Sequence, residues 1–544
     1  MPALTPPPGP TKPDPMPVTR TDRGFERRLA ALINSGERGV LQGGRKGIEK
    51  ESLRVTPTGR VAQTPHPARL GSALSSPNIT TDYSEALIEL ITPVFTESWE
   101  LLQYLLDLHQ FVYRHLDEEL LWATSMPCAL AGDASIPIAT YGSSNIGRMK
   151  HVYRVGLGLR YGRVMQAISG VHFNYSFPDA AWPVLQEARQ AKADGQAFID
   201  EAYFALLRNY RRHGWIILYL FGASPAMCTT FFKGREIAPG LERLDRNTFY
   251  APYATTLRMS DLGYRNKSQA GVAVSVNSLD EYVRDLSRLI STPSPDYRKL
   301  GVKLGDEWQQ LNANVLQIEN EYYSFIRPKR TAHSGERPTR ALARAGVEYV
   351  EMRSLDVGVF DPVGLNQNEM RFLEAFAALC VLKDSPMIER ADELELDANH
   401  VRVARQGREP GLALNFNGRP TPLKEWASQL LEEMQGVCEL LDYGDPQRPY
   451  SAALAVQQGK VADMNATPSA RILAELRTQG EAFFEFALRQ SRQHRDYFRD
   501  LYPPNESRLA LFRQQADESI AAQATTEAAD TLSFDEFVTE WFAR

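Results

Sequence analysis

Cysteine is scarce in this chain of 544 residues: Cys128, Cys228, Cys380 and Cys438 lie far apart and form no CxxC pair. A secreted disulfide scaffold needs denser cysteines and a structural zinc site closer ones, so four reduced, mostly buried thiols are expected. Net basic charge is absent as well. With 61 Lys+Arg against 67 Asp+Glu the formal charge is −6, which argues against a general nucleic-acid or membrane-surface binder, because neutralising phosphates needs a basic face. A local basic pocket for one anionic substrate stays open. The longest apolar run, from Trp215 to Met227, is too short to span a bilayer and is broken by Gly222 and Pro225. The first residues carry no apolar segment of the kind a signal peptide needs. A cytoplasmic chain with neither membrane nor nucleic acid as partner is therefore expected. The glycine loops that cradle phosphates are missing too: GVLQGGRK (Gly39 to Lys46) lacks the Walker spacing and GLGLRYG (Gly156 to Gly162) is not GxGxxG.

What is present looks like an ordinary globular protein, with 43% hydrophobic and 24% charged residues. The length predicts two or three packed units. Residues 1–21 are proline-rich with almost nothing to bury and read as a disordered tail. Residues 22–398 mix helical and strand-like patterns, and 399–544 read as a helical C-terminal region packed on that core. Apolar residues three and four apart predict a helix over Trp99 to Trp122, one or two over Gln186 to Leu220, and one over Asn368 to Leu382. The same spacing predicts helices over Leu423 to Leu441, Ser469 to Arg492 and Leu509 to Ala522. No internal repeat is found.

Four strand-like runs place polar groups on one face. In GIEKESLRV (Gly47 to Val55), alternation puts Glu49 and Glu51 on the same side, with Leu53 and Val55 beyond them. Side-by-side carboxylates repel unless a cation sits between them, although a solvated edge strand also accommodates them. In TTDYSEALIELITP (Thr80 to Pro93), a strand groups Glu85 with Glu89, whereas a helix groups Asp82, Glu85 and Glu89; β-branched residues and the closing Thr-Pro favour strand for the second half. Either way acids sit in an apolar segment, where an unpaired buried charge is expensive. ISGVHFNYSFP (Ile168 to Pro178) divides into an apolar face, Val171, Phe173, Tyr175 and Phe177, and a small polar face, Gly170, His172, Asn174 and Ser176. VEYVEMRSLD (Val347 to Asp356) puts Glu351 and Arg353 together, and Arg327, Lys329 and Arg330 form a basic cluster just upstream.

No single run decides the chemistry. Together they supply carboxylates suited to hard divalent cations, an imidazole tolerable in the same set, and Arg/Lys groups able to grip phosphate. That is the equipment of phosphoryl transfer. A non-catalytic sensor of amino acids or nucleotide is the alternative from another class; intact acidic positions speak against it.

These runs, together with YGSSNIGRMKHVYRVGL, YLFGASPA, YATTLRMSDLGYRNKSQ and VLQIENEYYSFIRPKR, closely resemble the bacterial-type glutamate–cysteine ligases, in order from about Gly43 to Asp361 and more weakly beyond, as in PSARIL. The resemblance implies an α+β fold with a glutamine-synthetase-like, curved, largely antiparallel sheet flanked by helices. It implies ATP-dependent ligation of the L-glutamate γ-carboxylate to the L-cysteine amine through a γ-glutamyl phosphate, on several Mg²⁺ ions that Mn²⁺ could replace. The metal ligands it implies are Glu49, Glu51, Asp82, Glu89, His172 and Glu351. Arg353 would meet the γ-phosphate with Lys329 nearby, Gln166 and Arg258 would hold glutamate, and Tyr153, Tyr264 and Tyr323 would line the cysteine pocket with Arg154 close by. A same-scaffold ligase for another amine, or a guanidino kinase, are the alternatives. A monomer is expected, with oligomeric state and feedback binding of glutathione left open by the sequence.

Overall fold

The computed structural model describes residues 22–233, 236–263, 272–333 and 335–543. The tail expected over 1–21 and the candidate Tyr264 lie outside them. At the centre is a seven-stranded sheet. Its strands in chain order are β1 (Arg45–Val55), β2 (Ile79–Thr81), β3 (Leu87–Ile91), β4 (Leu120–Leu121), β5 (Val171–Ser176), β6 (Ile326–Lys329) and β7 (Tyr349–Leu355). They lie in the order β6-β7-β5-β1-β3-β2, with β4 paired to the end of β1. Every pairing is antiparallel, so the expected α+β class with a largely antiparallel sheet is what the chain forms.

Strict alternation gives the sheet two different faces. Ile48, Ile88, Leu90, Phe173, Tyr175, Val350 and Met352 enter the main apolar core. That core is completed by helices α1 (Ser98–Tyr113), α3 (Gly195–His213) and α4 (Gln367–Leu382). The other face carries the polar side chains and is walled by α2 (Asn145–Tyr161). Further on come α5 (Leu423–Leu441), α6 (Pro449–Ala462), α7 (Phe483–Asp500), α8 (Glu506–Ala529) and α9 (Phe534–Ala543). Trp426, Leu454, Phe498 and Phe512 from this region enter the same core as Phe173, and the expected division after residue 398 falls inside the helix Arg390–Gln406.

Several expectations need correction. The helix expected to reach Trp122 stops at Tyr113: Asp117 adopts a positive φ of 48°, which no helix continues. Leu120 and Leu121 then pair with β1, their apolar character serving a strand instead. The run from Thr80 to Pro93 is a hairpin rather than one strand, so Glu85 and Glu89 do not share a face. Glu85 turns away, its carboxylate accepting from the backbone of His66 and Thr140 at 2.8 Å each. The helix expected over Ser469 to Arg492 is broken at Gly480, whose φ of +65° ends Pro468–Gln479 before α7 begins. Cys128 and Cys228 form a disulfide across 100 residues, against the expectation of four reduced thiols, because the loop after β4 meets the short strand Ala226–Cys228; Cys380 and Cys438 are free and buried.

Candidate active site

Register builds the site. On β1, Glu51 stands opposite Glu89 of β3, and Glu49 opposite His172 of β5. On β7, Glu351 stands opposite Asn174 of β5 and Arg327 of β6. Side chains directly across an antiparallel pair have Cβ atoms about 4.5–5.5 Å apart, so five strands place these groups at one spot of one face. Asp82 joins them from the tight turn between β2 and β3. Its backbone carbonyl accepts from Tyr141 Oη at 3.1 Å and from Arg154 Nε.

The atoms lie close. His172 Nδ1 is 3.1 Å from Glu49 Oε2 and 3.8 Å from Glu351 Oε1, and its Nε2 is 3.7 Å from Glu51 Oε1. One ligand atom each from Glu49, His172 and Glu351 fall within 4.8 Å of one another. Arg353 Nη1 lies 3.0 Å and Lys329 Nζ 3.5 Å from Glu351 Oε1. Asn174 donates to Glu49 Oε1 at 2.9 Å, and the Gly170 N–H donates to Glu51 Oε2 at 2.6 Å. Even so, Glu351 Oε2 and Asn174 Oδ1 are buried acceptors with no partner among the described residues. A native fold leaves few such atoms unpaired.

The electrostatics are divided. Burial, and next the Asp82 charge, push the Glu51 carboxyl up to about 8. Burial and the neighbouring Glu49, Asp82 and Glu51 push Glu89 well above the usual range. Burial works to raise Glu351 too, but Arg353, Lys329 and His172 around it hold it well below. Burial and the Arg353 charge lower His172, which favours the neutral imidazole that a metal takes. Crowded carboxylates with spare lone pairs, beside an imidazole and cations, are a donor set suited to hard divalent ions.

The groups face a cavity of about 430 Å³. Its lining includes Glu49, Glu51, Asp82, Glu89, His172, Lys329, Glu351 and Arg353, together with Tyr153, Arg154, Gln166 and Tyr323. Arg258 is not among the lining residues. At the end of β7 it packs against Gly170, donating to the carbonyls of Arg353 and Leu355 at 3.1 Å each, sitting 3.7 Å from Asp356, and its charge opposes the upward shift of Glu51. Arg327 of the basic cluster lines the cavity too, and so do Lys150 and Tyr161, which the sequence did not single out. Burial lowers the Lys150 ammonium to about 8. The signal for Lys150 and Tyr161 was present in the 141–157 motif and just after it: positions 149, 150, 153, 154, 157 and 161 form one face of a helix.

A family model described as Glutamate-cysteine ligase matches residues 29–403. A glutamate–cysteine ligase of Alcanivorax borkumensis is 50% identical over 523 residues, covering 95% of this chain and 99% of that one. One from Pseudomonas aeruginosa is 48% identical over 519 residues, covering 95% and 98%. A crystal structure of the Francisella tularensis glutamate–cysteine ligase in complex with AMP superposes with a TM-score of 0.86 at 37% identity, covering 92% of this chain and 98% of that one. A bifunctional glutathione synthetase from Pasteurella multocida shares the fold at a TM-score of 0.69 and 24% identity, over 90% of this chain and 58% of its own. On the family match and these identities, the chain belongs to the glutamate–cysteine ligase family.

Proposed function

We propose that the polar face of the sheet carries out, at the residues named above, the ATP-dependent formation of γ-glutamylcysteine. The enzyme joins the L-glutamate γ-carboxylate to the L-cysteine amine and releases ADP and phosphate. A carboxylate is a poor electrophile, since its charge repels an approaching amine. A γ-carboxylate oxygen therefore first attacks the γ-phosphorus of ATP, the bond to the ADP oxygen breaks, and γ-glutamyl phosphate forms. The cysteine nitrogen then attacks the acyl carbon, the carbon–oxygen bond to phosphate breaks, and the amide forms with loss of a proton from nitrogen.

The chain's own residues have separable tasks in this reading. Arg353 and Lys329 face the transferring phosphoryl group and offset its charge in a site shielded from water. Gln166 orients glutamate, while Tyr153, Arg154 and Tyr323 wall the cysteine end and hold its amine near the acyl carbon. Such positioning is worth effective molarities of about 10⁵ M or more. Arg258, whose charge reaches Glu51, fixes the β7 carbonyls beside the acid cluster. Glu49, His172 and Glu351, with Glu51, Asp82 and Glu89 beside them, would hold Mg²⁺ or Mn²⁺; the unpartnered Glu351 Oε2 fits that role. Bound there, the ions supply positive charge for the triphosphate. No helix of the described residues is long and apolar enough to cross a membrane, and we assign the chain to the cytoplasm, where ATP is supplied.

The convergence of Glu49, His172 and Glu351 beside Arg353 carries this reading, and the AMP held by the Francisella relative supports its nucleotide part. Mass spectrometry of reactions with ATP, Mg²⁺, glutamate and a panel of amines tests it. The expected outcome is γ-glutamylcysteine with one phosphate per product and phosphate release that depends on cysteine. Phosphate release indifferent to the amine would overturn it.

A further inference from the structure

The last stretch of the chain lies beyond the span matched by the family model, yet it reaches the cavity wall. Helix α2 supplies Ile146, Met149, Lys150, Tyr153, Arg154, Leu157 and Tyr161 to the cavity. Like any helix it begins with N–H groups that lack intrahelical partners. Its own Ser144 hydroxyl accepts from Gly147 N at 3.2 Å. The distant C-terminal stretch meets one more of them and the residue just before the cap: Asp530 Oδ2 accepts from Asn145 N at 2.5 Å, and Glu527 Oε1 from Ser143 N at 2.8 Å. Asn145 Nδ2 donates in turn to the Leu532 carbonyl at 2.9 Å. A carboxylate at a helix N-terminus also meets the positive end of the helix dipole. Asp530 is thus an anionic cap supplied from almost four hundred residues away.

Helix α9 then packs along α2. Phe534 and Val538 form a small cluster with Met149, Val152 and Leu311, separate from the main core and from a second one around Trp122 and Phe486; Ile146, Tyr153 and Ile318 pack against it, Tyr153 touching the second core as well. Ile146, Met149, Tyr153 and Ile318 are also cavity residues. Arg148 lies over the Phe534 ring at 4.4 Å, Trp308 meets the same ring edge-on at 5.3 Å, and Lys303 Nζ reaches Asp535 at 2.5 Å. The C-terminus therefore fastens two cavity walls together: α2, and the segment around Ile318.

We propose that Asp530 and α9 are a positioning clamp for the amino-acid end of the cavity, setting α2 so that Tyr153 and Arg154 meet the acceptor substrate. Asp530 touches no reacting atom and acts through α2. The inference rests on the placement of cysteine against Tyr153 under the proposed function. Because the clamp cluster stands apart from the main cores, loosening it leaves the fold and the phosphate-gripping strand β7 in place.

The test is steady-state kinetics on the full-length chain carrying Asp530→Ala, Asp530→Asn or Phe534→Ala, with melting curves for each. A small misplacement far from the chemistry can cost up to about 10²-fold. Asp530→Ala and Phe534→Ala should each raise the KM for cysteine about tenfold, while the KM for ATP stays within about twofold and melting is little changed. Asp530→Asn keeps an acceptor oxygen and should recover most of the loss. A cysteine KM within about twofold of the parent in both Asp530→Ala and Phe534→Ala overturns the clamp. So does a fall in kcat at unchanged KM that follows the folded fraction, since that marks a purely structural role. If the parent enzyme forms no product with cysteine, the proposed function fails; if the parent works and the variants keep its KM, only the clamp does.

Discussion

The two faces of β1 treat charge in opposite ways. Glu49 and Glu51 point to one side, where Glu89 and Asp82 crowd them and Glu351 Oε2 nearby lacks a partner among the described residues. Lys46, Lys50 and Arg54 point to the other. Lys46 Nζ meets Glu374 at 2.8 Å, and Ser98 and Tyr450 also donate to that carboxylate. Lys50 Nζ lies 2.8 Å from His109 Nε2, and Arg54 reaches Glu119 at 2.7 Å and the Glu85 carbonyl at 3.0 Å. Each of these cations has at least one polar partner inside the chain, although the Arg54 Nε has none among the described residues. Under the proposed function, the carboxylates on the other face keep lone pairs for a divalent ion.

Substitutions on the two faces should therefore fail in different assays. Glu351→Gln removes a charge that the proposed function gives to the metal set. Product formation should fall about 10³-fold, or roughly 4 kcal/mol of barrier, while melting shifts little. Turnover above a tenth of the parent would remove Glu351 from the metal set. Lys46→Met is its mirror image. It strands the Glu374 carboxylate, so urea unfolding should show a loss of about 3 kcal/mol, with turnover per folded molecule unchanged. Adding Glu374→Leu should restore most of that stability, because an apolar pair of similar volume often replaces a buried ion pair without loss. No recovery in the double variant would mean that the two faces do not differ as described.

Arg353→Lys keeps the charge but not the planar fork, and a point charge cannot reproduce two parallel N–H donors. We expect about a 10²-fold loss in kcat with folding intact. Kinetics near the parent's would show that Arg353 supports Glu351 and does not grip phosphate.

How much of this was legible beforehand depends on whether the information is local. Alternation is local, so His172 with Asn174 and Glu351 with Arg353 were paired correctly on their faces, and the register then brought the two strands together. The bounds of α5 were readable because its apolar spacing runs unbroken from Leu423 to Leu441. Hairpin formation is less local. Asp82 and Glu89 sit on either side of a turn, and nothing in their spacing says whether a strand continues or reverses. The disulfide was invisible because 100 residues separate its cysteines.

The smallest effect concerns a buried carboxyl away from the acid cluster. Glu369 opens α4, where its side chain accepts from Asn366 N at 3.3 Å. It faces Lys460 of α6 and Asp361 of the loop after β7, and burial pushes it up to about 7, Lys460 opposing and Asp361 adding to the shift. Its unfolded value is 4.5. Below that pH both states hold the proton and the group is neutral for stability. Between 4.5 and 7 the folded chain keeps a proton that the unfolded chain releases, so this contribution falls as pH rises, and it levels off once the folded carboxyl ionises. A glutamine side chain at this position carries no charge in either state. Glu369→Gln should thus flatten the decline in urea midpoint between pH 4.5 and 7, by at most about 1.4 kcal/mol per pH unit, with turnover unchanged. Parallel curves for parent and variant across that window would place the ionised form of Glu369 in a satisfied pair with Lys460, like the cations behind β1 and unlike the acids before it.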